Sequence, residues 1–175
     1  MEMFVLGAAH SGKSEWILTQ LRTSVIGTGV IPGLEARIAE LKALRHPDWT
    51  HIEGENLTEA LSRALAEGSQ QILIDSVNLW LANFLLESWG KYDAAQHEAR
   101  ILHEMVRLET LLDDARAKGI RLAIVSSEVG AGVTPPDELT RLFRKTLGQL
   151  NRRFAARAQT VVQLVAGLPV FLKKG

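Results

Sequence analysis

The stretch "GAAHSGKS", residues 7–14, matches the pattern G-x-x-x-x-G-K-[ST] without a gap. The short apolar run "MFVLG" (3–7) leads into it, and a helical stretch from Ser14 to Arg22 follows it. Glycines allow consecutive backbone N–H groups to point toward one anion, and the following helix adds its positive dipole end. A chance match in a glycine-rich turn is the alternative. The strand–loop–helix context favours a phosphate-binding loop instead.

Each part of this loop has an expected role in holding a nucleoside triphosphate with Mg²⁺. Lys13 is placed to reach the β- and γ-phosphates, and the Ser14 hydroxyl is placed to ligate the metal. The predicted nucleotide-binding residues are Gly7, Ala8, Ala9, His10, Ser11, Gly12, Lys13 and Ser14.

Two acidic residues follow later apolar runs, where an acidic partner of the loop is expected. Asp75 lies at the end of the run "QILIDS" (71–76), where it can hold the water shell of the metal or, alternatively, cap a turn. Glu128 follows "RLAIVSS" (121–127) and can bind metal, act as a base toward an acceptor hydroxyl, or be a turn residue. We therefore predict Ser14 and Asp75 as metal ligands, and Lys13, Asp75 and Glu128 as catalytic residues.

Short apolar runs without alternation recur along the chain, as in strands that are buried on both faces of a parallel sheet. These predicted strands alternate along the chain with predicted helices. The order of strands and helices predicts an α/β fold with a doubly wound, mainly parallel sheet in a single domain over residues 1–175. The last two runs are close enough together to form a terminal hairpin. The runs are 3–7, 24–29, 71–76, 121–127, 160–167 and 169–174. The predicted helices are 14–22, 34–44, 58–67, 94–118 and 137–158.

The composition narrows the class of protein. Hydrophobic residues make up 46% and charged residues 23% of the 175 residues, as in globular domains rather than disordered chains. The 20 Lys and Arg balance the 20 Asp and Glu, which gives no support to a nucleic-acid or membrane-surface partner. The sequence contains no cysteine, so disulfides and thiolate chemistry are excluded. We find no signal peptide or membrane-spanning run, and expect a cytoplasmic protein.

Three blocks of the sequence share a pattern with a known family. The first is the loop at 7–14, the second is "DSVNLWLANFLLE" (75–87), and the third is "SEVGAGVTPPDELTRLFRKTLGQLNRRFA" (127–155). The closing "VAGLPVFLKK" (165–174) also fits. Together they resemble the adenosylcobinamide kinase / adenosylcobinamide-phosphate guanylyltransferase family of cobalamin biosynthesis, over essentially the whole chain.

The resemblance implies a bifunctional transferase. That family phosphorylates the aminopropanol hydroxyl of adenosylcobinamide with a nucleoside triphosphate, and then transfers GMP from GTP through a guanylylated histidine. The resemblance also implies a P-loop NTPase fold like the recombinase core, Mg²⁺ as cofactor, and GTP or ATP as phosphoryl donor. It further implies a corrinoid partner and a homotrimer.

One departure from the family pattern concerns the guanylyl step. In "PGLEARIAELKALRHPDW" (32–49), Leu41 occupies the position of the family's histidine. Leucine has no lone pair to attack an α-phosphate, so it cannot form the covalent intermediate. Three hypotheses stay open: a kinase that acts on adenosylcobinamide, an enzyme that keeps both activities through His46 or a direct transfer, and a nucleotide-binding paralogue without corrinoid chemistry.

Overall fold

The computed structural model describes residues 1–21, 24–27, 39–40, 42–44, 47, 49–53 and 56–175. These residues form a seven-stranded sheet with helices on both faces. The strands are β1 (Met3–Gly7), β2 (Ser24–Gly27), β3 (His51–Glu53), β4 (Gln71–Asp75), β5 (Arg121–Val125), β6 (Thr160–Val165) and β7 (Leu168–Lys173). The helices are α1 (Lys13–Gln20), α2 (Leu57–Ala66), α3 (Val77–Leu86), α4 (Ala94–Ala117) and α5 (Glu138–Arg157).

The strand order of the sheet is β3-β2-β4-β5-β1-β6-β7. Neighbouring strands from β3 to β6 are parallel, whereas β7 pairs with β6 in the antiparallel direction. The carboxyl ends of β1, β4 and β5 therefore meet at one edge of the sheet. The α/β fold with a mainly parallel sheet and a C-terminal hairpin is confirmed.

Alternate residues of the central strands are buried on opposite faces of the sheet. Phe4 and Ile74 belong to the core under helices α2 to α5, and Phe4 packs against Phe154 with ring centroids 5.7 Å apart. Val5 and Leu73 belong to a second core on the side of α1. Burial on both faces explains why these strands are continuous apolar runs in the sequence.

The predicted strands are present over their described residues, with 28–29 of the run 24–29 outside these, and the described predicted helices have ends within two residues of the expected positions. Of the predicted helix 34–44, residues 39–40 and 42–43 are helical, and 34–38 and 41 lie outside the described residues. Helix α3 is an addition to the prediction, and it follows β4 almost directly.

Helices α4 and α5 overhang the carboxyl edge of the sheet. They contain 24 and 20 residues, and each ends three or four residues before the strand that follows it. At 1.5 Å per residue they are roughly 30–36 Å long, whereas a five-residue strand covers about 17 Å. They run in the same direction, since Lys145 pairs with Glu98 at 2.7 Å and Arg157 with Asp113 at 2.6 Å.

Neither helix, nor any other in the described part of the chain, is long and apolar enough to cross a membrane.

Candidate nucleotide-binding site

The loop between β1 and α1 lies at the carboxyl edge of the sheet. Gly12 precedes α1 with a φ of 88°, a left-handed conformation that favours glycine. A Cβ atom on Gly7 would lie 2.4 Å from Ser11 Oγ and 2.8 Å from the carbonyl oxygen of Leu164, so a larger residue does not fit without a shift. The shape of the loop thus depends on both glycines of the motif.

The N-terminus of α1 faces this loop. Among the described residues no side chain caps it, and the first N–H groups of a helix have no partner within the helix itself. An anion in the loop can accept hydrogen bonds from these groups. Lys13, which is 9% exposed, donates from Nζ to the carbonyl oxygen of Ala8 at 2.6 Å. The ammonium group is therefore held over the loop.

Ser14 and Asp75 meet although 61 residues separate them. Ser14 Oγ donates a hydrogen bond to Asp75 Oδ1 at 3.0 Å, and Asp75 is 8% exposed. Asp75 ends β4, two strands from β1 in the sheet. The structure therefore brings together the two side chains predicted to bind the metal.

The hydroxyl and carboxylate oxygens of this pair are a suitable donor set for Mg²⁺. Mg²⁺ is commonly bound through one or two protein oxygens together with phosphate oxygens and water. In the described ranges, no group of three or more His, Cys, Asp or Glu side chains is arranged to hold a metal ion by itself. A metal at Ser14 and Asp75 would share its coordination with the nucleotide.

Glu128 is joined to the loop through its backbone. Its N–H donates to the carbonyl oxygen of Gly7 at 3.0 Å, so the segment after β5 lies against the end of β1. The exposed carboxylate accepts a hydrogen bond from the Gly130 N–H at 2.6 Å. The structure thus places the backbone of Glu128 against Gly7, and the role of its carboxylate stays a prediction.

Asn151 on α5 fixes the start of this segment, and no role was predicted for it. Its Oδ1 accepts from Ser126 Oγ at 2.7 Å, and its Nδ2 donates to the carbonyl oxygen of Ser127 at 3.0 Å. Ser126 is fully buried, and Asn151 is 5% exposed. The asparagine therefore holds the two residues that precede Glu128.

Arg144 and Arg141 fix the rest of the segment. Arg144 donates to the carbonyl oxygens of Gly130, Gly132 and Val133, the last two at 2.9 Å. Arg141 donates to the carbonyl oxygens of Pro135 and Pro136, which lie further along the same segment, before α5 begins. Both arginines and Asn151 lie in the block 127–155 that carries the family resemblance, but these contacts depend on the fold and no local spacing predicts them.

The residues that bear on guanylyl transfer, Leu41 and His46, lie outside the described residues. The replacement of the family's histidine by Leu41 is therefore known from the sequence alone.

A model of the family described as "Cobinamide kinase / cobinamide phosphate guanyltransferase" matches residues 3–172. Among similar proteins, the bifunctional adenosylcobalamin biosynthesis protein CobP of Pseudomonas aeruginosa is 33% identical, over 99% of this chain and 98% of that protein. The bifunctional adenosylcobalamin biosynthesis protein CobU of Escherichia coli is 26% identical, over 99% of this chain and 100% of that protein. CobU of Salmonella typhimurium is 27% identical with the same coverage.

Solved structures share the fold at low sequence identity. The P4 protein from bacteriophage phi13 matches with a TM-score of 0.50 and 17% identity, over 97% of this chain and 53% of that chain. A prototypical ATPase from the type III secretion system of pathogenic bacteria matches with a TM-score of 0.50 and 12% identity, over 97% and 56%. The chain thus spans about half the length of these two proteins. The likenesses support a P-loop NTPase fold.

Proposed function

This chain belongs to the cobinamide kinase / cobinamide phosphate guanyltransferase family, and on that premise we propose that it transfers the γ-phosphoryl group of GTP or ATP to the hydroxyl of adenosylcobinamide. The proteins of this family are enzymes of cobalamin biosynthesis, so the chain is a nucleotide-dependent transferase.

One observation carries the proposal: the loop from Gly7 to Ser14 has its lysine held over it and its serine hydrogen-bonded to Asp75. Phosphoryl transfer is catalysed mainly by positioning and by neutralising charge on the phosphate oxygens. The N–H groups of the loop and the Lys13 ammonium supply such charge stabilisation. Mg²⁺ bound at Ser14 and Asp75 would supply further positive charge next to the phosphates.

In the proposed step, the acceptor oxygen forms a bond to the γ-phosphorus. The bond between that phosphorus and the bridging oxygen breaks, and the nucleoside diphosphate leaves with the electron pair. We assign Glu128 as the group that orients the hydroxyl and takes its proton. The hydrogen bond from its backbone N–H to the carbonyl oxygen of Gly7 supports this role, because it holds the residue at the end of β1, where the phosphate loop begins.

The test is transfer of label from γ-labelled GTP or ATP to adenosylcobinamide. We expect transfer by the unaltered chain and a loss of at least about a hundredfold in Lys13→Ala, since a preorganised charge contact is removed. Lys91→Ala is the matched control, because Lys91 is an exposed lysine outside the loop. Nucleotide binding without transfer to any corrinoid would refute the kinase assignment and favour a repurposed paralogue.

Guanylyl transfer is a separate question because of Leu41. We propose that this step uses either His46 or direct transfer of GMP. α-Labelled GTP followed by denaturing electrophoresis distinguishes the two routes. Acid-labile label on the unaltered chain that disappears in His46→Ala supports a covalent step at His46. Product formed without labelled protein supports direct transfer.

We propose a cytoplasmic homo-oligomer, with a trimer as the expected assembly. The absence of cysteine from the sequence agrees with a reducing compartment, where disulfides are rare. The apolar, exposed strand β7 at the edge of the sheet supports association with another copy.

A further inference from the structure

The turn between β6 and β7 lies directly against the phosphate loop. Val165 pairs with Leu168 across this hairpin, so Ala166 and Gly167 are the two residues of the turn. The N–H of Gly167 donates to the carbonyl oxygen of Ser11 at 3.0 Å. The turn is thus hydrogen-bonded to the loop, although the two are far apart in the chain.

Gly12, the residue after Ser11, is closely packed against the same turn. A Cβ atom on Gly12 would lie 3.3 Å from Gly167 Cα and 3.9 Å from Gly167 N. The carbonyl oxygen of Gly12 accepts a hydrogen bond from the Trp16 N–H at 2.8 Å, in the first turn of α1. Gly12 therefore lies between the hairpin turn and the helix, and a displacement of either one changes its orientation.

The rest of the hairpin is fixed to the sheet and to α1. All five residues of β1 pair with β6, up to Gly7 opposite Leu164. On β7, the Phe171 ring packs edge-on against the Trp16 ring of α1, with ring centroids 6.5 Å apart. The turn therefore has a firm support beside the loop.

The hydrogen bond to Ser11 fixes the direction of the next N–H group. The Ser11 carbonyl and the Gly12 N–H belong to one planar trans peptide unit, in which the two bonds point in opposite directions. Since the carbonyl oxygen is directed at Gly167, the Gly12 N–H is directed away from the hairpin. An N–H in this direction is available to an anion in the loop, next to the N–H groups that begin α1.

We propose that the turn Ala166–Gly167 is a positioning element of the phosphate loop. Its hydrogen bond orients the peptide unit between Ser11 and Gly12, so that the Gly12 N–H donates to a phosphate oxygen of the bound nucleotide. Gly167 acts through Gly12 and does not itself contact the substrate. The inference rests on the proposed function, which requires a nucleoside triphosphate in this loop. It adds a determinant of nucleotide affinity that lies outside the motif at 7–14.

The conformation of the turn makes this contact depend on glycine at position 167. Ala166 has a φ of 51° and Gly167 a φ of 81°, so both lie in the left-handed region that such two-residue turns require. A residue with a side chain is disfavoured at a φ like that of Gly167. Its replacement therefore shifts the turn and moves the N–H of residue 167 away from Ser11.

The test compares Gly167→Ala with Gly68→Ala. The φ of Gly68 is 80°, and a Cβ atom on either glycine would meet no heavy atom of the described residues within 4 Å beyond its chain neighbours. Gly68 precedes β4, at the edge of the sheet opposite to the loop. The two changes therefore introduce similar backbone strain, and only Gly167→Ala acts on the loop.

Both alanine variants should melt about 2–8 °C below the unaltered chain, because alanine is strained at such a φ. Titration with GTP and with ATP, well below the melting transitions, should give a dissociation constant about tenfold higher in Gly167→Ala and unchanged in Gly68→Ala. A tenfold change is expected when one hydrogen bond to a charged group is weakened. Unchanged affinity in Gly167→Ala, or an equal loss in Gly68→Ala, overturns the positioning role.

Gly167→Asn is the conservative variant, since asparagine adopts a positive φ more readily than alanine. It should recover most of the nucleotide affinity that Gly167→Ala loses. A Gly167→Asn variant that binds no better than Gly167→Ala would contradict the link between the turn conformation and the loop.

The Gly12 N–H can be followed directly in NMR spectra of the chain labelled with isotopic nitrogen at its glycines. Its proton signal should move downfield when GTP or ATP is added to the unaltered chain, and should move much less in Gly167→Ala. A Gly12 signal that does not respond to either nucleotide in the unaltered chain also overturns the inference.

Nucleotide titration needs no phosphoryl transfer, so it separates this inference from the function it rests on. If the affinities follow these expectations and no label reaches adenosylcobinamide, the kinase proposal fails and the positioning role stands. If transfer occurs and Gly167→Ala leaves kcat/KM for the nucleotide unchanged, the positioning role fails and the kinase proposal stands. A chain that binds neither GTP nor ATP refutes both.

Discussion

Gly7 and Gly148 illustrate two different situations for a glycine. At Gly7, a Cβ atom would come within 2.8 Å of a backbone carbonyl oxygen, which cannot move without shifting β6. Inside helix α5, a Cβ atom on Gly148 would meet no heavy atom of the described residues within 4 Å beyond its chain neighbours and the backbone of its own helix. The first glycine is required by close packing, whereas the described packing around the second leaves room for a methyl group.

The same substitution should therefore have opposite effects at these two positions. Gly7→Ala is expected to lower the free energy of unfolding by about 1–3 kcal/mol through overpacking, and to weaken nucleotide binding about tenfold or more. Gly148→Ala is expected to raise the free energy of unfolding by about 0.5–1 kcal/mol, because alanine is favoured over glycine inside a helix. Urea denaturation and nucleotide titration of both variants check this. Equal effects at the two positions would contradict the packing argument.

Asn151 is the residue whose buried hydrogen bonds determine where Glu128 lies. Asn151→Leu leaves the Ser126 hydroxyl and the Ser127 carbonyl without their partner, and should lower the free energy of unfolding by about 1–3 kcal/mol. Ser126→Ala removes the Ser126 hydroxyl, which is one of the two groups that Asn151→Leu leaves without a partner. The double variant should therefore lose less stability than the sum of the two single variants in urea denaturation. Strict additivity would show that the two side chains are not coupled.

At the scale of elements, α5 acts as the support of the segment between β5 and α5. Arg141, Arg144 and Asn151 lie on one side of the helix, since positions three and seven residues apart share a face. Their contacts begin at Ser126 and extend to the proline at 136. The position of this segment beside the phosphate loop thus depends on one long helix rather than on the segment itself.

The N-terminus of α5 should give this support a dependence on pH. Asp137 caps the helix, and hydrogen bonds from the Thr140 side chain and backbone hold the pKa of Asp137 below its ordinary value of 3.8. Because the folded pKa is lower than the unfolded one, the stabilisation is fully present above the unfolded pKa and is lost as the pH falls through the folded pKa.

Asp137→Ala should accordingly lower the melting temperature at neutral pH, and the difference from the unaltered chain should shrink below about pH 4. Asp137→Asn is the control, because asparagine caps a helix without a titrating group. Its difference from Asp137→Ala should stay constant over the same range. Melting curves from neutral to acid pH check this, and a gap that widens in acid would reverse the assigned sign.

The sequence predicts some elements better than others for physical reasons. Strands such as β4 are short apolar runs bounded by polar residues, and burial on both faces makes them recognisable. Helix α3, "VNLWLANFLL", is apolar on nearly every side because it packs against the core and against α5. It therefore has no apolar stripe of helical period that would distinguish it.

The same distinction applies to the candidate site. The loop from Gly7 to Ser14 is one continuous stretch, so its local pattern predicts its shape. Asp75 is recognisable because it ends an apolar run. The hydrogen bond between Asn151 and Ser126 joins residues that are 25 positions apart in the chain. Whether the buried amide oxygen of Asn78 finds a hydrogen-bond donor depends on the side chains that the fold places around it. Such relations exist only in the folded chain.

For the whole molecule, the proposed chemistry is concentrated on one edge of the sheet. The phosphate loop, Asp75 and the Glu128 segment lie at the carboxyl ends of β1, β4 and β5, where ligands bind in open α/β sheets. Strand β7 lies at the lateral edge, next to β6, and each of its six residues is exposed. Its apolar residues include Leu168 and Leu172, which are 68% and 57% exposed.

An exposed apolar edge strand tends to pair with another chain, so we expect β7 to be part of the oligomer interface. Light scattering coupled to size exclusion should give three times the 19.3 kDa mass of the chain for a trimer. Leu172→Lys should reduce this mass, because it places a charge within the apolar edge. Leu102→Lys is the matched control on α4, where Leu102 is 51% exposed. A monomeric mass for the unaltered chain, or dissociation by Leu102→Lys rather than Leu172→Lys, would contradict an interface at β7.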